Sequence, residues 1–271
     1  MTSKLMSLVR STAGKLFRPY YEKLRRYRWP HYCPVCGNKA QLFAPLPAFY
    51  SEQLTAHGSD LNLHDFETLN LGAYTCVNCG ASDRDRLYAL YLAKRLEHDP
   101  GPTFRLLDLA PAAALSRHIL RNFRVGYRTA DLYMDGVDDR VDITHMDCYP
   151  DQSFDAFICS HVLEHIPDDT KAMAELFRIL KPGGWGIAMV PINLALPSVR
   201  EDLPSATVQD RWKYYGQDDH ARVYTGDGFK NRLRASGFHI SEITADFFDP
   251  AQFDRCGISE KSRLYVVEKL L

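Results

Sequence analysis

Long apolar runs are absent from this sequence. No stretch approaches the roughly 20 residues that a membrane-spanning helix needs, which excludes a helical integral membrane protein. The first thirty residues have neither a compact apolar segment nor a small-residue cleavage site, so no secretory leader is expected. An excess of either charge is also missing: 33 Lys and Arg face 34 Asp and Glu, a net −1. That balance argues against a whole-protein polyanion binder. No internal repeat or low-complexity tract occurs. The seven cysteines do not read as a disulfide framework, because four of them fall in two C-x-x-C pairs. Such pairs fit metal binding in a reducing compartment, and the expected location is the cytoplasm. At 271 residues the chain can bury one full-sized core and carry an appendage.

The charge that is present is unevenly placed. Residues 1–30 hold eight Lys and Arg against Glu22 alone, a net +7 that leaves −8 for the remainder. Leu5, Val9, Leu16, Tyr20, Leu24 and Tyr27 recur at helical spacing, an apolar stripe on a basic arm that Pro19 kinks or divides. Such an arm has three uses: docking on its own protein, binding a partner helix, or lying on an anionic membrane. In the last case residues 1–28 would make a peripheral contact at the inner membrane face, with Leu5, Leu8, Leu16 and Phe17 buried shallowly.

Residues 31–82 contain Cys33-Pro-Val-Cys36-Gly37 and Cys76-Val-Asn-Cys79-Gly80. Each pair presents two thiolates to one ion, and the trailing glycine lets backbone amides turn toward sulfur. Four cysteines describe a closed tetrahedral site, so a structural Zn2+ on Cys33, Cys36, Cys76 and Cys79 is expected. Cys148, Cys159 and Cys256 lack such spacing and read as small buried hydrophobes.

From Thr103 onward, strand and helix patterns alternate, which predicts a doubly wound α/β sheet. Strands are expected at 105–109, 125–130, 154–159, 185–190, 239–244 and 263–268, with a weak one near 141–143. Helices are expected at 83–96 and 226–236. The segment 154–191, FDAFICSHVLEHIPDDTKAMAELFRILKPGGWGIAMVP, reads as strand, helix and strand. Asp168 and Asp169 open that helix, and Lys181-Pro182-Gly183-Gly184 stops it.

The ordered series FD…HVLEHI…LKPGG closely resembles the fourth-strand-to-fifth-strand segment of class I S-adenosylmethionine-dependent methyltransferases. The resemblance implies a Rossmann-like sheet, mostly parallel with the last strand antiparallel, over residues 83–271. The cysteine module resembles the amino-terminal zinc ribbon of some bacterial members. S-adenosylmethionine is the implied cofactor. Asp108 and Ala110 lie in the first motif, where Ala110, Ala112 and Ala114 replace the family's glycines. Alanine keeps most of the room but not the positive φ angles. Asp131, followed by Leu132, stands where the family places the ribose-binding acid. Asp142 and Ile143 stand at its adenine position, and Ser160 and His161 leave the fourth strand beside the sulfonium. A strand-end acid that caps a turn is the alternative for Asp131. Asp155 reads as a structural turn acid.

Residues 192–225 form an insertion where the family's acceptor pocket is commonly built. Within it His220 is the expected general base, since histidine titrates near neutrality. His161 is the second candidate, and Arg222 could hold an anionic group. Ser82-Asp83-Arg84-Asp85-Arg86 could also enter the pocket, although a solvated helix start is the plainer account. The favoured function is methyl transfer to an oxygen, with nitrogen the second choice, of a small molecule or glycan intermediate. Two competitors stay open. An RNA methyltransferase would need a basic surface with stacking aromatics; the acidic balance outside the arm argues against a nucleic-acid partner. A non-catalytic scaffold that keeps the fold is suggested by the alanine-filled first motif. The oligomeric state is not legible.

Overall fold

The computed structural model describes residues 31–201 and 207–271. The basic arm, and with it the expectations for its apolar stripe and membrane contact, lies outside the described residues. The chain opens with a short antiparallel hairpin, β1 His31–Tyr32 and β2 Lys39–Ala40, followed by helix α1 Phe49–Ala56. Helix α2 Asp83–Arg95 leads into β3 Arg105–Leu109, α3 Ala113–Asn122, β4 Gly126–Asp131, β5 Asp139–Arg140 and β6 Phe154–Ser160. After these come α4 Asp169–Ile179, β7 Leu180–Met189, α5 Val208–Tyr215, α6 Gly226–Ala235, β8 His239–Ile243, α7 Pro250–Arg255 and β9 Leu264–Glu268.

Seven strands form one sheet in the order β5-β4-β3-β6-β7-β9-β8. Strands β3 to β7 pair in parallel, while β9, the last in sequence, runs antiparallel to both β7 and β8. The central strands are covered on both faces, which is why β3 and β6 read as near-continuous apolar runs. Packing between β6 and β7 demands a glycine at one point. A Cβ on Gly186 would lie 2.3 Å from the Phe157 ring paired with it. The strand order reverses between β3 and β6, which opens a crevice beyond their carboxyl ends.

Three expectations are corrected. The third strand is residues 139–140 rather than 141–143; Val141 and Ile143 drop into the core from the turn that follows. An alternating apolar pair serves either purpose, and the edge position leaves too little partner strand to extend pairing. The helix α4 does end before LKPGG, at Ile179. Strand β7 then begins at once, at Leu180, and a register shift opposite Phe154 and Ala156 absorbs the glycines. Finally, the start of α2 is not a solvated face. Ser82 and Asp85 make a reciprocal capping box, and Asp83, Asp85 and Arg86 are all buried.

The cysteine-bearing hairpin is continuous with the sheet. Cys33, Val35, Phe43 and Cys76 belong to the same hydrophobic cluster as α2 and the central strands. Between the cysteine pairs the chain runs out over the carboxyl side of the sheet. There the Glu67 N–H donates to Ile192 O (2.9 Å) and the Leu194 N–H to Asp65 O (2.8 Å). Helix α5 packs on α1 through Trp212, whose ring lies edge-on to Phe49 at 5.8 Å and stacked on His57 at 5.7 Å. The loop between the cysteines and the insertion after β7 therefore form one roof. Among the described residues no helix is long and apolar enough to cross a membrane.

Candidate active site

The parallel register brings the candidate cofactor residues to one level. Leu109 pairs with Ala130 on one side and with Cys159 on the other. The next residues, Ala110, Asp131 and Ser160, thus lie side by side at the carboxyl ends of β3, β4 and β6. Ala110 sits at φ +52°, the left-handed region that glycine favours. The expectation that alanine would forgo this conformation is wrong. The Ala110 N–H donates to Ala130 O at 2.9 Å, and that bond holds the strained turn in place. Asp131 does cap its turn, accepting from Tyr133 N (2.7 Å) and Met134 N (2.6 Å), but it does so through Oδ1 alone. Among the described residues no donor reaches Oδ2. Leu132 is exposed beside it. Asp142 is exposed and uses Oδ1 to bind Thr144 N and Oγ1, each at 2.8 Å. Ile143 is buried beneath.

Asp108 does not face the crevice as a free acid. It is buried, and the Tyr127 hydroxyl donates to its Oδ2 at 2.6 Å. Burial pushes its carboxyl up to about 7, against the opposing effect of that bond. Burial likewise pushes Glu67, held by the Tyr265 hydroxyl at 3.0 Å, up to about 7. The sign follows from linkage. A carboxyl whose folded-state value lies above its ordinary one adds stability that is complete below about pH 4 and is lost as pH rises toward 7. The loss is at most about 1.4 kcal/mol per pH unit for each group. Asp108→Asn should therefore gain on the wild type as pH is raised from about 5 to about 7.5. Urea unfolding at both pH values measures this, and an unchanged difference would count against it.

The residues of HVLEHI meet the insertion in a cavity of about 290 Å³. Its apolar wall comes from the roof, including Leu46, Tyr50, Leu54 and Phe66, and its polar floor is His161, Glu164, His165 and His220 with Arg84. His161 sits at φ +57°, and its N–H donates to Met189 O at 2.8 Å. This aims the ring across the mouth of β6, with Nδ1 3.3 Å from Glu164 Oε1. Burial, then the charge of Arg84, pushes His161 down to about 4. The Ser160 hydroxyl pairs with the Tyr88 hydroxyl at 2.7 Å. His220 is buried, with Nδ1 3.1 Å from Tyr215 O. A larger groove of about 850 Å³ lies beside the first cysteine pair. It opens at residues 99–100 and 123–124, toward the amino ends of β3 and β4, and so away from the crevice.

Arg222 has a different role from the expected anion clamp. It is buried, and its guanidinium donates to Leu163 O (3.1 Å), Pro167 O (2.7 Å) and Ile166 O, and to Glu201 Oε2 (2.9 Å). Those bonds hold the turn after HVLEH in shape. Arg86 is a residue the sequence concealed. It is fully buried, donates to the carbonyls of Ala73, Tyr74, Ala81, Cys256 and Gly257, and lies 3.9 Å over the Phe43 ring. Asp155 is a structural acid, receiving Arg105 N and Lys181 Nζ.

The four paired cysteines converge, with every Sγ within 4.8 Å of the others. Gly37 and Gly80, at φ +75° and +81°, close each turn as their N–H groups donate to Cys33 O and Cys76 O. Cys159 and Cys256 are buried as expected, but Cys148 is exposed.

The sheet order and the level row of crevice residues define a doubly wound, Rossmann-like fold. Residues 116–188 match the family model described as a methyltransferase domain (Methyltransf_11). The chain is 28% identical over 102 residues to a ubiquinone biosynthesis O-methyltransferase from Paraburkholderia phymatum, covering 38% of this chain and 44% of that protein. It is 30% identical over 79 residues to the ubiquinone/menaquinone biosynthesis C-methyltransferase UbiE of Brucella anthropi, covering 29% and 28%. The matched part thus spans less than half of these relatives. Among solved structures, a Haemonchus contortus phosphoethanolamine N-methyltransferase 2 in complex with S-adenosyl-L-methionine aligns with TM-score 0.46 and 14% identity, over 73% of this chain and 55% of that one.

Proposed function

We propose that this protein transfers a methyl group from S-adenosylmethionine to an oxygen of a small molecule or glycan intermediate. The observation that carries this is the polar floor of His161, Glu164, His165 and His220, set beneath an apolar roof beside the level row of Ala110, Asp131 and Ser160. The chain's residues suit the cofactor. The left-handed turn at Ala110 exposes backbone where the methionine part would lie. Asp131 keeps one oxygen for the ribose hydroxyls. Leu132, Asp142 and Ile143 border the adenine position, and Ser160 and His161 lie nearest the reacting end. The cofactor supplies an electrophilic methyl on sulfur. The acceptor oxygen would give its proton to a floor imidazole, His220 or His161, and bond to that carbon, with the carbon–sulfur electrons remaining on sulfur. The protein's part is to align the acceptor and exclude water, which the roof does, with His161 and His220 facing the hydroxyl.

For the cysteine quartet we infer a structural Zn2+, since four convergent sulfurs in two glycine-closed turns leave no open position. The buried Arg86 cation close by suits the excess negative charge of a tetrathiolate site. The test of function is calorimetry with S-adenosylmethionine and S-adenosylhomocysteine, followed by turnover on a panel of hydroxylated acceptors. Absence of cofactor binding would end this reading, and binding without turnover would favour a scaffold. Asp131→Ala should weaken cofactor binding by roughly 1–3 kcal/mol, the range for loss of a charged hydrogen-bond partner. Unchanged affinity would show that Asp131 serves only its turn.

A further inference from the structure

We infer that Glu164, His165 and His220 form a divalent-cation site facing the acceptor cavity, distinct from the cysteine site. One donor atom from each residue lies within 4.8 Å of the other two. Glu164 is 1% exposed, and among the described residues neither of its oxygens receives a well-formed hydrogen bond, the nearest donor being His161 Nδ1 at 3.3 Å from Oε1. A buried carboxylate with one long contact and a second oxygen unpaired is costly, and a cation is the partner that a carboxylate flanked by two further imidazoles best accommodates.

The surroundings orient both rings as ligands. His165 Nδ1 lies 3.2 Å from Asp219 Oδ2, while its Nε2 lies 3.9 Å from Glu164 Oε1. His220 Nδ1 lies 3.1 Å from Tyr215 O. With the proton on Nδ1 in each ring, held by a carboxylate in one case and a backbone carbonyl in the other, Nε2 keeps its lone pair for a metal, and His161 is left to take the acceptor's proton. This is the outer arrangement that metal-ligating histidines normally show. The two rings meet at 82° with centroids 4.8 Å apart. The Ala221 N–H donates to Glu164 O at 2.7 Å, which fixes the His220 loop against the Glu164 turn. Arg84 is the opposing charge in the cavity, and Asp83 and Asp85 beside it offset its field.

The donor set specifies the ligand class. Two imidazoles and a carboxylate favour Mn2+, Fe2+, Co2+ or Zn2+ over Mg2+ or Ca2+, whereas four thiolates select zinc. Three protein ligands leave coordination positions toward the cavity. These suit an acceptor that offers two neighbouring oxygens, such as vicinal hydroxyls or a hydroxyl next to a carbonyl. This assignment of the acceptor rests on the methyl-transfer reading; the cation site itself does not.

The test is a titration of the full zinc-loaded chain with Mn2+ alone, followed by electron paramagnetic resonance, with S-adenosylhomocysteine binding measured in parallel. We expect saturable binding of one Mn2+ per chain. Glu164→Gln and His165→Gln should abolish it while homocysteine-nucleoside binding persists. Asp219→Asn alters an exposed residue that meets the far side of His165, so folding is not at stake. It should weaken Mn2+ roughly 10- to 100-fold. A wild type that binds the nucleoside but no Mn2+ overturns the inference. So does full Mn2+ affinity in Asp219→Asn together with either ligand variant that folds. Mn2+ binding without nucleoside binding would instead overturn the methyl-transfer reading and leave the cation site standing.

Discussion

Arg86→Met should leave the protein largely unfolded at 37 °C. Its guanidinium is fully buried and gives every one of its hydrogen bonds to backbone carbonyls, those of residues 73, 74, 81, 256 and 257. Methionine fills the volume but orphans Ala73 O, Tyr74 O and Cys256 O at once, each at about 1–3 kcal/mol before water relieves some of them, while Ala81 O keeps the Cys76 N–H and Gly257 O keeps the Asn70 amide. A net loss of about 5 kcal/mol or more is comparable with the whole stability of an ordinary domain. Arg86→Lys, with a more compact head and fewer donors, should fall between the two. Urea unfolding of soluble protein measures the difference, and a methionine variant within about 1 kcal/mol of the wild type would show that the bonds hold little.

Removal of the zinc proposed for the cysteine quartet is expected to have an effect of the same order. Structural zinc supplies roughly 10–16 kcal/mol of apparent binding free energy in small zinc domains. Here it would hold two ends of a loop that carries α1 and the apolar wall of the cavity over His161 and His220. Cys76→Ser, or a strong chelator, should release one zinc per chain, detected by elemental analysis. It should also open residues 46–74 to proteolysis, because the loop's tie at Cys76 is lost. Metal-free protein with an intact roof after gentle purification would contradict this. Loss of acceptor turnover should accompany opening, while the level row at Ala110, Asp131 and Ser160, on the sheet itself, should survive longer.

The two predictions differ in how visible their residues are in the chain. The cysteine pairs declare themselves through spacing, since C-x-x-C followed by glycine has few other uses. Arg86 does not. It stands in the run Ser82-Asp83-Arg84-Asp85-Arg86, whose alternating charges read as a helix end in water. Only the return of residues 256–257 and the packing of Phe43 bury it. Arg222 misleads in the same way, because a polar loop beside a cavity suggests an anion clamp, whereas the carbonyls of residues 163, 166 and 167 claim it. Ala110 misleads in the opposite sense. Its sequence implies a lost conformation, yet the register of β3 with β4 imposes it.

By itself the sequence determined the alternating strand–helix order, the HVLEHI turn, the end of α4 before LKPGG, the acid at the end of β4 and the paired cysteines. These are local signals, set by apolar periodicity, by proline and glycine dihedrals and by ligand spacing over a few residues. The tertiary structure alone decided which charges are buried, that the loop between the cysteines roofs the cavity, and that His220 meets Glu164 and His165. Those outcomes depend on contacts across 50 or more residues of chain. The partners there are often backbone carbonyls, which every residue carries and no side-chain pattern marks.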